Sequence, residues 1–198
     1  EGYRDRVVYG VQFDQSQFET ESRAAEFAIE EVMKASGLGE KGFAAVVCTN
    51  EESSLLDGLS QDQANVMVSE YLANEVGVAA IIGPASSDRV EDAFQAVKDY
   101  GTLVMSPTAT SPALTPLDGL VSTSAKPGLL WRTSPPDDLQ GAELAALMDA
   151  DGMDTVAFIV EEGNYGTALG AIGKSAFEDA GGGATLVPYE SGSDISLQ

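Results

Sequence analysis

An α/β fold with mostly parallel sheets is predicted by the order of apolar and amphipathic segments along the 198-residue chain. Short apolar runs without alternation, such as residues 78–82, suit strands that are covered on both faces. Longer segments between them repeat their apolar residues at helical spacing, and glycine or proline separates one segment from the next. Strands that alternate with helices in this way favour parallel sheets flanked by helices.

The first two thirds of the chain are predicted to contain most of the elements. The predicted strands cover residues 6–13, 43–48, 78–82, 103–105 and 129–132, and the predicted helices run from about 19 to 36, from 61 onward and from about 87 to 100. The second helix opens with a capping box at residues 60–63. Residues 14–17 are predicted to form a loop, and the polar segment 49–58 is long enough for a functional role at the same sheet edge.

The remainder of the chain predicts a second, smaller set of elements. Two prolines at 135 and 136 mark the boundary, and a helix from Asp137 through Met148 follows. A strand at 155–160, a helix containing Leu169 to Phe177 and a strand at 184–189 complete the set. Because two strands and two helices do not close a domain, we expect this half to be truncated.

Composition excludes several classes of function. The formal net charge of −22 would repel phosphate backbones, so no nucleic-acid partner is predicted. The chain has no histidine, which excludes a Ser-His-Asp triad and any His-ligated zinc site built from this chain alone. The single cysteine, Cys48, cannot form an internal disulfide, and its position at the end of an apolar run favours a packing role over a reactive thiol.

Two motifs have plain interpretations. Residues 37–42 match G-x-G-x-x-G, but they follow a helix and precede a strand, the reverse of the order that binds a pyrophosphate, and a turn is predicted instead. Residues 149–154 contain three aspartates but lack the spacing of a calcium-binding EF-hand loop, so a helix-to-strand connection is predicted.

Two polar loops follow neighbouring predicted strands. The strand 78–82 leads into Ser86 and Ser87, which stand where a helix N-cap is expected. The strand 103–105 leads into the hydroxyl-rich residues 106–112. Because ligands of open parallel sheets bind outside the carboxyl ends of the strands, both loops are expected to face one crevice, which is the candidate site.

Four motifs in register resemble a known family. They are IGPASS at 82–87, MSPTATSPALT at 105–115, WRT at 131–133 with QG at 140–141, and NYG at 164–166. Together they resemble the type I periplasmic binding proteins, and among these the leucine/isoleucine/valine-binding branch of ABC-transporter substrate-binding proteins. The resemblance spans nearly the whole chain in matching order and spacing.

This resemblance implies two doubly wound, Rossmann-like α/β lobes with the ligand held between them. We expect residues 1–131 to form the N-terminal lobe and residues 132–198 the first part of a truncated second lobe. It implies a periplasmic or extracellular binding protein, not an enzyme, with no cofactor or metal, which delivers an amino acid or similar small carboxylate to an ABC transporter permease. A membrane-anchored lipoprotein is one form that such a protein takes. Exposed apolar surface on the incomplete second lobe is expected to make the chain pair or swap elements with another copy.

The resemblance also implies which residues bind the ligand. They are Ser86, Ser87, Thr108, Ala109, Thr110 and Tyr165. Ser87 matches a serine that binds the ligand carboxylate, and Thr108 matches a residue whose main-chain groups meet the ligand. Thr110 matches a residue that meets the ammonium and the carboxylate, and Tyr165 matches an aromatic residue that closes over the ligand.

Simpler roles exist for the same residues. Ser87 could serve only as an N-cap, Thr108 and Thr110 only as turn formers, and Tyr165 only as a packed loop residue. Residues 14–17 depart from the glycine- and proline-rich segment usual in the family, so the side-chain pocket is not carried over. A sensory or regulatory ligand-binding domain of the same fold is the alternative function, and an α/β enzyme is a weaker third hypothesis.

Overall fold

The computed structural model describes residues 6–37, 42–49, 58–119, 123–190 and 192. Five strands within these residues form one sheet: β1 (Val7–Phe13), β2 (Phe43–Thr49), β3 (Ala80–Ile82), β4 (Leu103–Ser106) and β5 (Leu130–Arg132). All neighbours pair in parallel, in the order β2-β1-β3-β4-β5. The predicted α/β class with a parallel sheet is therefore confirmed, and its strand carboxyl ends share one edge.

Three helices connect these strands: α1 (Gln15–Ala35), α2 (Gln61–Glu70) and α3 (Ser87–Val97). The predicted loop after β1 is wrong, because Asp14 alone separates β1 from α1 and caps the helix by accepting the Ser16 N–H at 3.0 Å. Phe18 has non-helical angles (φ −125°, ψ 36°), so α1 kinks close to where the sequence predicted its start.

The capping box that opens α2 is confirmed. Ser60 N–H donates to Gln63 Oε1 at 2.9 Å, and Gln63 N–H donates to Ser60 Oγ at 3.2 Å. The helix then continues as a π-helical segment, Tyr71–Val76, which the sequence pattern did not predict.

The apolar stripe of α3 forms a large part of the core. Val90, Ala93, Phe94 and Val97 are each 1% exposed or less, as their helical spacing predicts. Tyr100, at the end of the predicted stripe, is 51% exposed, because the chain tightens into a 3₁₀ turn after α3 and carries that side chain away from the core.

The described residues divide into two compact units. The first contains those up to 109 together with 117–133, and the second contains 110–116 and those from 134 onward. The second unit comprises α4 (Asp138–Ala150), β6 (Thr155–Glu161), α5 (Asn164–Asp179) and β7 (Gly183–Tyr189), and β6 pairs in parallel with β7. Gly173 lets α5 lie close to β6, since a Cβ there would stand 2.7 Å from the Phe158 ring.

One face of the two-stranded sheet is exposed. Val156, Phe158 and Val160 on β6 are partly or fully buried, whereas the alternate residues on the opposite face are exposed. We call this opposite face the open face; its apolar members are Ala157, Ile159 (63% exposed) and Val187 (44% exposed).

Some predicted features fall wholly or partly outside the described residues. These are the turn at 37–42, of which 38–41 are not described, and the loop at 49–58, of which 50–57 are not described. Cys48 lies in β2 and is half-buried, and burial raises the pKa of its thiol. None of the described helices combines the length and the apolar composition that a membrane span requires.

Candidate functional site

The strand ends β3 and β4 lie side by side at the carboxyl edge of the sheet. Gly83, the first residue after β3, donates its N–H to Met105 O at 2.8 Å. Glycine is required here for two reasons. Its φ of 108° is a conformation that other residues rarely adopt, and a Cβ at this position would lie 2.0 Å from Gln12 O at the end of β1. The backbone after β3 is therefore held against both neighbouring strands.

The loop after β3 leads directly into the N-terminus of α3. Ser86 is the N-cap, and its hydroxyl makes no capping bond to the helix, whose first turn lies within the described residues. Ser87 is the first helical residue and is only 3% exposed. The simpler interpretation of Ser87 as an N-cap is therefore wrong, and the positive end of the α3 dipole lies at the predicted carboxylate-binding position.

Two hydroxyl groups tie the loop after β4 to the loop after β3. Ser106 Oγ donates to Pro84 O at 2.7 Å and accepts the N–H of Ala109 at 3.1 Å. Thr108 Oγ1 donates to Ala85 O at 2.7 Å. The structure thus brings Ser86, Ser87, Thr108 and Ala109 together at one edge of the first unit.

Ser106 is the residue of this edge that sequence reasoning missed. It is fully buried at the end of β4, and its hydroxyl organises both loops. A serine before a proline reads as a turn former in the sequence, and only its position opposite Pro84 in the neighbouring loop gives it this role. Thr108 likewise uses its hydroxyl to join the two loops, and its main-chain contact with a ligand stays a prediction.

Thr110 belongs to the second unit, where it contacts the N-terminus of α4. Its carbonyl accepts the N–H of Asp137 at 3.0 Å. Asp137 is the N-cap residue of α4 and is 2% exposed, but its side chain makes no capping bond. Among the described residues, Asp137 Oδ2 has no hydrogen-bond partner. A buried carboxyl oxygen of this kind calls for an explanation.

Tyr165 also belongs to the second unit, and it is 45% exposed. The prediction that it lies in a loop is wrong, because α5 begins at Asn164 and places Tyr165 in the first helical turn. A partly exposed aromatic ring on a helix terminus is fixed at its backbone and free to contact a ligand with its ring.

Metal binding finds no support in the described part of the chain, which contains no group of three or more acidic or cysteine side chains placed to hold an ion. Within the segment 149–154, the first two residues end α4 and residues 151–154 connect it to β6, as predicted.

Comparison with known proteins places the chain among ligand-binding domains. The family model described as "Receptor family ligand binding region" matches residues 20–182. The Leucine-, isoleucine-, valine-, threonine-, and alanine-binding protein of Pseudomonas aeruginosa is 27% identical over 155 residues, which are 78% of this chain and 37% of that protein.

Solved structures show the same fold. An ABC transporter substrate-binding protein from Desulfitobacterium hafniense in complex with Leu superposes with a TM-score of 0.69 at 18% identity, covering 95% of this chain and 52% of that one. An ABC transporter solute-binding protein from R. palustris in complex with benzoate superposes with a TM-score of 0.70 at 14% identity, covering 98% of this chain and 50% of that one. The predicted type I periplasmic binding protein fold is confirmed, and the chain spans about half the length of these structures.

The exposed side of α3 is strongly acidic. Asp92 is half-buried on this side, and desolvation raises the pKa of its carboxyl group, with further increases from the charges of Asp62, Glu91 and Asp88. The pKa of this carboxyl group is therefore higher in the folded protein than in the unfolded chain. At a pH between these two pKa values, the folded protein binds more protons at this group than the unfolded chain does. The free energy of unfolding therefore falls as pH rises through that interval.

We expect Asp92→Asn to raise the free energy of unfolding at pH 7, because it removes a charge that the folded state disfavours. The gain should disappear on acidification below the ordinary aspartate value of 3.8, where both side chains are neutral. Urea titrations of both proteins from pH 3 to pH 7 measure this, with Asp179→Asn at the end of α5 as the control. A gain that grows on acidification would contradict the assignment.

Proposed function

Because the chain belongs to the family of receptor ligand-binding regions, we propose that it is part of the ligand-capturing region of an extracytoplasmic solute-binding protein. Its ligand is an amino acid or similar small carboxylate, captured between two lobes and delivered to an ABC transporter permease. The relatives support this class, since their names and complexes include aliphatic amino acids and benzoate. Localisation in the periplasm or outside the cell follows from this proposal.

The observation that carries the proposal is the edge formed by Ser86, Ser87 and Thr108. Ser87 is the first residue of α3, where backbone N–H groups and the helix dipole favour an anion. The bridges from Ser106 and Thr108 fix the two loops on either side, so these groups are in place before a ligand arrives. A ligand carboxylate has the charge and the hydrogen-bond acceptors that such an edge would bind.

The second unit supplies an argument for an amino acid over a carboxylate without an amino group. Asp137 is buried and contacts Thr110 through its backbone, and one of its carboxyl oxygens has no partner among the residues that the structure describes. An ammonium group would donate a charge-assisted hydrogen bond to that oxygen. We therefore propose that Asp137 and Thr110 meet the ligand ammonium, with Tyr165 closing over the bound ligand.

A sensory role is the second candidate, and the description of the matched family as a receptor region favours it. The same binding chemistry would serve both roles, because the site only has to recognise a small ligand. Permease and ATPase genes beside this gene would support transport, whereas a signalling domain fused downstream would support sensing.

Ser87→Ala should weaken ligand binding about ten- to a hundredfold, because a hydrogen bond to a charged group contributes about 1.5–3 kcal/mol. Isothermal titration calorimetry of L-leucine and other amino acids into the full-length protein measures this. Ser36→Ala is the matched control: it removes an exposed hydroxyl at the end of α1, which donates to Met33 O at 2.9 Å, so it should leave affinity unchanged. Equal affinity of Ser87→Ala and wild type would refute the carboxylate role.

Asp137→Asn should weaken the binding of L-leucine about ten- to a hundredfold and leave the binding of 4-methylpentanoate, which lacks the amino group, nearly unchanged. Competition calorimetry with the two compounds measures the ratio. Asp138→Asn, on the exposed neighbour, should change neither affinity. Equal losses for both compounds would show that Asp137 does not recognise the ammonium.

We further propose that the 198-residue chain associates with a second copy through the open face of β6 and β7, where apolar side chains meet water. Light scattering at increasing protein concentration should show dimers. Ile159→Lys should shift the equilibrium toward monomers, whereas Gln140→Lys on exposed α4 surface should not. A monomeric wild-type chain at high concentration would overturn this proposal.

A further inference from the structure

We infer that Asp14, Gln61 and Arg89 form a cluster that positions the first turn of α3 for ligand binding. We call these three residues the Asp14 cluster. The inference rests on the proposed function, since it assumes that this turn receives the ligand carboxylate. It assigns a positioning role to Asp14, the first residue of the segment 14–17 at which the sequence departs from the family pattern.

The cluster joins three elements at the carboxyl edge of the sheet. Asp14 follows β1, Gln61 is the first residue of α2, and Arg89 lies in the first turn of α3, two residues after Ser87. Arg89 Nη1 lies 3.7 Å from Asp14 Oδ2. The Gln61 amide donates to the same oxygen, and its carbonyl oxygen accepts from the Arg89 guanidinium.

A second contact holds the same turn through its backbone. Asn65 Nδ2 donates to Arg89 O at 2.9 Å. Asn65 is itself fixed in the interior, because Gln12 Nε2 donates to its Oδ1 at 2.9 Å, and Ser69 Oγ donates to Gln12 Oε1 at 3.0 Å. Gln12, Asn65 and Ser69 are fully buried. The side chain and the backbone of Arg89 are thus anchored to β1 and α2 independently.

Burial distinguishes the Asp14 cluster from an ordinary surface ion pair. The Asp14 side chain is 1% exposed and that of Arg89 is 16% exposed, compared with 61% and 76% for the pair Glu19 and Arg23 on α1. An exposed ion pair does little to fix the position of its side chains, because water solvates both charges. A buried ion pair holds a fixed geometry, because separating it leaves a buried charge without a partner. The cluster therefore restricts where the α3 N-terminus can lie.

The role of the cluster is tested first without a ligand, by hydrogen exchange of the unliganded chain. The informative amides are those from Val90 to Ala93, whose helical acceptors are the carbonyls of residues 86–89. Arg89→Met should speed their exchange about tenfold or more, while the amide of Lys98, bonded to Phe94 O, keeps its rate. Arg23→Met is the matched control, because Arg23 is an exposed arginine, and it should change the exchange rate of none of these amides.

Gln61→Ala provides a milder variant, since it breaks the bridge without leaving the Asp14 carboxylate unpaired, and it should show the same pattern at smaller amplitude. Uniformly faster exchange along α3 would mean a general stabilising role and would overturn the inference. Unchanged exchange from Val90 to Ala93 in both variants would overturn it as well.

The effect on binding is tested with L-leucine as the probe, by calorimetry on the full-length protein. Arg89→Met should weaken binding about tenfold, and the loss should shrink in a Ser87→Ala background because Arg89 acts through that turn. Wild-type affinity in Arg89→Met, or equal losses in both backgrounds, would overturn the inference. If the wild-type protein binds no amino acid or carboxylate, the proposed function fails, and the exchange experiment still decides whether the cluster positions the turn.

Discussion

The hydrogen bonds from Ser106 and Thr108 across to the loop after β3 are the contacts on which the candidate site of the first unit depends. Parallel pairing of β3 with β4 brings the two strand ends to one edge, but it does not fix the loops beyond them. The two hydroxyls do so by donating to the carbonyls of Pro84 and Ala85. The loop that carries Ser86 and the loop that carries Ala109 therefore behave as one rigid support for the N-terminus of α3.

The fold was predictable because its signals are local. Unbroken apolar runs gave the buried strands, the capping box at Ser60 gave the start of α2, and apolar spacing gave the buried face of α3. The start of α1 and the position of Tyr165 were mispredicted, because polar residues that follow a strand are equally compatible with a loop and with the first turn of a helix. Ser106, Asp137 and the Asp14 cluster were not predictable in their roles, since each depends on partners distant in sequence.

The charge of the chain and the chemistry of the candidate site point in opposite directions. A net charge of −22 disfavours an anionic ligand at long range, but screening in physiological salt limits that effect to about 8 Å. Close to the proposed site, the α3 dipole and backbone N–H groups would dominate, because the proposed function places the ligand carboxylate at the first turn of α3. Arg89 adds little net charge there, since Asp14 and Asp62 face it.

The membership of residues 110–116 in the second unit has a consequence for how this protein can be dissected and recombined. The backbone passes from one unit to the other after residue 109, after 116 and again after 133. A single proteolytic cut therefore releases neither unit whole, and a gene fusion joined at one point near 133 would combine a lobe from one parent with a connecting segment from the other. Chimeras between relatives need matched junctions at all three crossings.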